Sequence, residues 1–516
     1  MKRNQIQSGA ILSYIQMALN VIISLIVTPI MIRSLGDSEY GLYNTVASTI
    51  SMLSIISLGF NSSYIRFFSK YKRDGDEEKI SSLNGLFLII FSIMGLVAFL
   101  CGIFLTYNLE LVFDKGLTAS EYGIARILMG MLTVNLSLTF PASVFTSIIS
   151  SHERYFFLKL ISVLNTVVSP LLTLPLLLLG YGSVMMVTVA IIINAVTYTL
   201  YIVYVFCVLK CKFKFSGFER GLIGNLFGYT VFIAMNMIID QINWNVDKIV
   251  LGRFKGTGEV ALYSVGFTIY SFYQLFSTAI SELFTPQIHR TVNSENDKTA
   301  LRNEFTTLFI FVGRIQFLIL ALISSGFVFF GLPFVRYWAG AGYTTSYYVA
   351  LMLILSATVP LIQNLGIEIQ RAQNKHKFRS YAYLSMAIIN LVVSIFLCQL
   401  YGAIGSTIGT AISLVLMNGI VMNIYYHKKC NVDIVAFWKQ ILRLSVGLIP
   451  SIAYGVILNY FVVFDSFGKF VLGVLSYALV YIVSMWFVGM NTVEKNMIKD
   501  ILKKVTKRYD RNKEQV

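Results

Sequence analysis

Residues 83–107 read LNGLFLIIFSIMGLVAFLCGIFLTY, 25 residues without a single charge. A helix rises 1.5 Å per residue, so about 20 apolar residues cross the roughly 30 Å hydrocarbon layer of a bilayer. A strand of a membrane barrel would instead show about ten residues alternating apolar and polar. Reading outward from this run, the pattern returns about fourteen times between short polar loops, from Ile11–Ile32 to Phe470–Met490. Composition agrees, because 516 residues that are 56% hydrophobic and 13% charged carry more apolar surface than one soluble core hides. The expected fold is an all-α membrane protein with about 14 transmembrane helices.

The charges orient these spans. Cytoplasmic loops retain Lys and Arg during insertion, and most of the 41 basic residues fall in the termini and alternate loops if both termini are placed inside. Lys70, Lys72 and Arg73 form one inner cluster, Lys210, Lys212 and Lys214 a second, Lys375, Lys377 and Arg379 a third, and the tail from Lys495 to Lys513 a fourth. The net charge of +16 then reflects topology and anionic membrane lipids, with no nucleic-acid partner. Met1–Arg3 precede a first span that no small-residue cleavage site follows, so that span is expected to remain. The five cysteines read as apolar fillers or free thiols, and the four histidines have no metal-ligand spacing. No metal and no cofactor is expected. Trp244, Trp338, Trp438 and Trp486 lie near span ends, where indoles anchor at the membrane interface.

An internal repeat organises the chain. Leu35–Tyr43, LGDSEYGLY, matches Lys255–Tyr263, KGTGEVALY, in its Gly, Glu, Leu and Tyr at an offset of about 220 residues. The same offset pairs Ser48 with Thr268, Ser51 with Ser271, Asn61 with Ser281, and Tyr181-Gly182 with Tyr401-Gly402. Pro141 and Pro360 agree to within a residue. Six spans per repeat is an even number, so the two halves are parallel repeats related by an axis along the membrane normal. The expected division is an N-terminal lobe, 1–215, a C-terminal lobe, 216–430, two extra C-terminal helices in 431–490 and a basic cytoplasmic tail, 491–516.

Parallel lobes enclose a cleft, and its lining should appear as polar stripes on apolar helices. In span seven, Asn236, Asp240, Asn243 and Asp247 are spaced by four, three and four residues, which in a regular α-helix is one narrow face. Span one carries Gln16 and Asn20 on one face, and at the repeat offset these pair with Asn236 and Asp240. A carboxylate facing lipid costs about 2.5–3.5 kcal/mol on insertion scales, so the stripe is expected to line a hydrated cavity; polar bonding between neighbouring helices is the plainer alternative. Ser48 and Ser51 of span two join the candidate lining. Arg66 and Glu282, near the inner ends of spans two and eight, are candidates for the inner mouth, with snorkelling as the other reading of Arg66. Lys248 is an ion-pair partner for Asp247, a ligand group or a snorkelling side chain, and Arg314 lies deep in span nine.

Taken together, the LGDSEYGLY turn, Tyr64–Tyr71 (YIRFFSKY), Asp247–Gly252 (DKIVLG) and Glu259–Tyr263 (EVALY) resemble the bacterial polysaccharide transporters of the O-antigen flippase (Wzx) type. These belong to the multidrug/oligosaccharidyl-lipid/polysaccharide superfamily, and the resemblance covers the whole chain in length and span count. It implies translocation of undecaprenyl-pyrophosphate-linked oligosaccharide repeat units across the bacterial inner membrane by alternating access. It also implies a cavity lined by spans one, two, seven and eight, and polysaccharide polymerase and glycosyltransferase neighbours. Glycan hydroxyls cost several kcal/mol each to bury without partners, so a wet cleft removes most of the barrier while the polyprenyl tail stays in lipid. A Gly-rich Lys-Ser/Thr loop is absent, so any coupling is expected to draw on H+ or Na+ rather than ATP. Competing classes are a multidrug/toxin extruder-type cation antiporter, a peptidoglycan or teichoic precursor flippase, and a polytopic glycosyltransferase or ligase. The last is disfavoured by outer loops of only about fifteen to twenty residues.

Overall fold

A computed structural model of the chain describes residues 2–57, 59–113, 117–218, 222–294, 298–373, 375–500 and 503. The described residues are almost entirely helical, with no strand among them. Nine helices among them are long and apolar enough to cross a membrane, or ten if the bent pair Ile434–Ser445 and Leu448–Phe461 forms one span. Two of these helical stretches, Ile11–Asp74 and Lys377–Lys429, run for 64 and 53 residues, too long for a single crossing. Each contains a glycine in the left-handed region, Gly36 at φ 74° and Gly402 at φ 58°, which divides it into two passes. Among the described residues, the expected spans fall largely within helix. This is a multi-pass α-helical membrane protein. Of its basic tail, residues 501–502 and 504–516 lie outside the described residues.

The repeat is recorded in backbone geometry. Gly36 and its partner Gly256 are both left-handed, at φ 74° and 88°, as are Gly182 and Gly402 at 70° and 58°. Glu39 accepts hydrogen bonds from the Ser183 N–H at 2.6 Å and the Ser183 hydroxyl at 2.5 Å. Glu259 accepts from the Ala403 N–H at 2.8 Å, again across 144 residues. In both halves a glutamate starting the second helix caps the start of the sixth. Glycine suits both positions, because their positive φ strains any L side chain and a Cβ on Gly182 or Gly402 would lie 2.9 or 2.5 Å from the glutamate oxygen and displace it.

By packing, the chain forms two compact units, one of Met1–Phe267 with Lys377–Ser413 and the other of Thr268–His376 with Leu414–Val516. This partition follows contact density, whereas the 1–215 and 216–430 division follows the internal repeat. In the first unit, Glu77–Tyr107 and Ala119–Ser151 approach closely through Gly95, beside the Ser137 carbonyl, and Gly102, beside Thr133. Small residues permit such contact where lipid supplies no hydrophobic drive between helices. An aromatic core of Phe60, Tyr64, Phe68, Phe87 and Phe91 fills one end of this unit, and the Tyr64 hydroxyl donates to Asn84 at 2.6 Å.

Span two departs from the expected single helix. A 3-10 turn at Leu53–Ser57 and left-handed Gly59, at φ 71°, separate its first part from the helix Phe60–Asp74. Ser51, Ser54 and Ser57 favour local bonds over helix continuation, and glycine removes the remaining bias. The Ser54 hydroxyl accepts from Gln241 at 2.9 Å, which ties the break to span seven.

In the second unit, Arg314 is buried and paired with Glu494, Nε to Oε1 at 2.5 Å and Nη2 to Oε2 at 2.9 Å. Its remaining donors reach the carbonyls of Gln440 and Gly489. The deepest arginine of the spans is thus a structural clamp. Trp338, expected at the interface, is instead buried and stacks on Phe334, because helix Lys298–Trp338 turns that face into protein.

Candidate functional site

The polar stripe of span seven is split by the backbone. Leu222–Gln241 is α-helical, but Ile242–Val246 forms a π-helical turn before Asp247–Phe254 resumes. A π turn inserts an extra residue per turn and rotates everything beyond it, so a face extrapolated at 3.6 residues per turn does not persist. Asn236 and Asp240, before the turn, are exposed, whereas Asp247, after it, is 4% exposed. Asn243, within the turn, is half-buried.

Asp247 sits in a cage of hydroxyls. Its oxygens accept from Ser406 at 2.7 Å, Thr410 at 2.8 Å and Tyr263 at 2.9 Å. Three donors compensate much of the cost of burying a carboxylate. Asp247 therefore bonds spans seven, eight and twelve within the first unit and does not share the environment of Asp240. The neighbouring Lys248 does not pair with it. The Lys248 Nζ lies 5.1 Å from the centre of the Phe267 ring, a cation–π contact.

The remaining candidates separate by exposure. Gln16 is half-buried and donates to the Ser162 hydroxyl at 2.6 Å, and its repeat partner Asn236 donates to Ser380 at 3.2 Å. Thus one amide in each repeat joins its first helix to its fifth, and the matching stripes serve partly as polar bonding between helices. Asn20 is exposed within an apolar span, as is its partner Asp240. Ser48 is buried, and the Ser51 hydroxyl donates to the Ser48 carbonyl at 2.9 Å, so this pair is turned inward on its own helix. Arg66 is exposed on Phe60–Asp74, and Glu282 is exposed on Thr257–Ser294 in the second unit. Asn61, exposed on the same helix as Arg66, accepts from Ser147 at 3.2 Å.

The second unit holds an apolar cavity of about 370 Å³, lined by Phe272, Phe276, Phe327, Phe330 and Tyr477 among others. Sequence reading missed it, because each of these residues also reads as an ordinary lipid-facing or core aromatic. It also missed the glutamate caps, although Glu39 and Glu259 were conspicuous as the charged members of the repeated turn.

Residues 6–292, more than half the chain, match the family described as polysaccharide biosynthesis protein. The chain belongs to that family. It is 22% identical over 417 residues to an uncharacterized membrane protein, EpsK, of Bacillus subtilis (strain 168), covering 79% of this chain and 80% of EpsK. In fold it is similar to the lipid II flippase MurJ in an inward closed conformation, with a TM-score of 0.71 and 16% identity over 92% of this chain and 97% of that one. It is also similar to an inward-facing multidrug resistance MATE family transporter of the MOP superfamily, with a TM-score of 0.59 and 13% identity over 79% of this chain and 99% of that one. At such identities the likeness is one of fold. It agrees with the superfamily that the repeated turn resembles.

Proposed function

We propose that this chain flips polyprenyl-pyrophosphate-linked oligosaccharides across the bacterial cytoplasmic membrane for surface polysaccharide assembly. In this reading the repeat lobes 1–215 and 216–430 alternate access around a hydrated path, with both termini cytoplasmic. The observation that carries the reading is the exposure of Asn20, Asn236 and Asp240 partway along apolar spans of a polysaccharide-biosynthesis family member. A carboxylate at mid-span costs about 2.5–3.5 kcal/mol in hydrocarbon, and a face turned to water or substrate is how this reading accommodates Asp240. Amides and a carboxylate suit sugar hydroxyls, and Arg66 suits pyrophosphate. The apolar cavity of the second unit suits an isoprenoid chain. Asp240 is also the candidate for exchanging H+ or Na+ if transport is gradient-driven.

The test is quencher-protected transfer of a fluorescent polyprenyl-pyrophosphate oligosaccharide in proteoliposomes. The parent chain should move the lipid to the far leaflet, and Asp240→Asn should slow it at equal protein content. Transport of organic cations with no movement of the glycolipid would favour the multidrug antiporter reading instead.

A further inference from the structure

A second, polar cavity of about 300 Å³ lies in the first unit, where the helix ends of spans two, three, four and six meet. Lys72, Lys210, Lys212, His152, Glu77 and Asn84 are among its lining residues. Its shape comes from the backbone. Gly75 ends Phe60–Asp74 in the left-handed region, and Lys210, a non-glycine residue, is left-handed too, at φ 52°. The Lys212 carbonyl accepts from Asn84 at 2.9 Å, and the Lys214 N–H donates to the Ser81 carbonyl at 2.9 Å, which fixes the segment after span six against span three.

The charges around it are unequally matched. Lys79 pairs with Asp76, and Lys214 pairs with Glu78. Among the described residues, Lys72, Lys210 and Lys212 form no ion pair, and Glu77 is the one carboxylate lining the cavity with them. Lys72 is held over the Phe68 ring, its Nζ 5.3 Å from the centre. Burial, and then the Lys72 charge, keep the His152 imidazole below its ordinary pKa, so at neutral pH the positive charge is that of the lysines.

The second repeat provides an internal control. Asn431, at φ 56°, occupies the left-handed position corresponding to Lys210, and the Val432 N–H reaches back six residues to Tyr426 as the Cys211 N–H does to Val205. By that register Lys212 corresponds to Asp433, and His152 to Gln373. Lys375 donates to Gln373 at 2.9 Å and also to the Lys429 carbonyl, and Asp433 caps Ile434–Ser445 while pairing with Arg302. Among the described residues, one repeat carries Asp433 paired with Arg302 where the other carries Lys212 without an ion pair.

We infer that this cavity binds the phosphodiester headgroup of an anionic membrane lipid. Ammonium groups at a span end meet headgroup phosphates at this depth, each worth about a few-fold in affinity near an anionic surface. Phe206, Val208 and Phe215, on either side of the lining residues Leu209–Lys212 in the chain, are exposed and offer apolar surface to acyl chains. This inference is independent of what the chain transports.

The test is native mass spectrometry of the purified full chain with phosphatidylglycerol or phosphatidylcholine of identical acyl chains. The expected result is retention of one phosphatidylglycerol that falls at least about tenfold in the variant Lys72→Gln, Lys210→Asn, Lys212→Gln. The double variant Lys210→Asn, Lys212→Gln should fall to an intermediate level, and asparagine suits the left-handed backbone there, so folding is retained. Control substitutions Lys428→Gln, Lys429→Gln and Lys439→Gln should leave retention unchanged. Equal loss in the control, or no loss in either variant, overturns the site. Displacement of the lipid by millimolar inorganic phosphate or pyrophosphate would overturn the lipid assignment in favour of a soluble anion.

Discussion

Removing Glu494 should unfold the second unit far more readily than removing any surface carboxylate. The side chains of Arg314 and Glu494 are 3% and 2% exposed, and two charge-assisted bonds join them. Glu494 also accepts from the Asn491 N–H at 2.9 Å, while Asn491 accepts from the Glu494 N–H, so the pair fixes the chain leaving span fourteen. Glu494→Ala leaves a guanidinium buried with its charge unmatched, a loss of about 3–5 kcal/mol. The double variant Arg314→Met, Glu494→Leu removes both charges. Its cost should be only the donors lost to the Gln440 and Gly489 carbonyls, about 1 kcal/mol each. Denaturant unfolding of purified protein in detergent, run as a double-mutant cycle, measures the difference. If Glu494→Ala unfolds within about 0.5 kcal/mol of the parent, or if the two single losses simply add in the double variant, the clamp does not exist as described.

Asp240→Asn and Asp247→Asn should fail differently: the first should fold normally and slow glycolipid transfer, while the second should lower membrane abundance by weakening bonds worth about 1.5–3 kcal/mol each. Transfer per folded molecule, beside folded yield, distinguishes them, and equal behaviour in both readouts would contradict the split stripe. Gly402→Ala should cost about 1–2 kcal/mol for the left-handed backbone plus the displacement of Glu259, whereas Gly180→Ala, at φ 85° with nothing within 4 Å, should show the backbone cost alone. Equal melting shifts in the two would remove the cap from the account. Single cysteines replacing Lys210 or Lys214 should resist membrane-impermeant maleimide added outside intact cells, and ready labelling would reverse the proposed orientation. Backbone bonding from Ala436, then Arg302 and His427, holds the Asp433 carboxyl below the ordinary carboxylate range. Its contribution is therefore present above the unfolded pKa of about 4 and is lost as pH falls through the lowered folded value, so Asp433→Ala should flatten the acid limb of the stability profile.

What the sequence determined by itself is the part of the architecture governed by local composition. Apolar length sets the spans, since any run such as 83–107 must become helix to satisfy its backbone in lipid. Repetition of LGDSEYGLY as KGTGEVALY exposed the duplication, because the glycine and glutamate of that turn carry conformational and capping duties in both copies. Other features depend on helix register and on partners far along the chain. The four polar residues of span seven look equivalent at 3.6 residues per turn, and only the π turn at Ile242–Val246 separates exposed Asp240 from buried Asp247. Ser406 and Thr410, which make Asp247 tolerable inside, lie 159 and 163 residues away, where no local pattern points to them. The cationic corner at Lys72, Lys210 and Lys212 is assembled in the same way, from loops that the sequence reads as separate topology signals and that tertiary packing brings around one cavity.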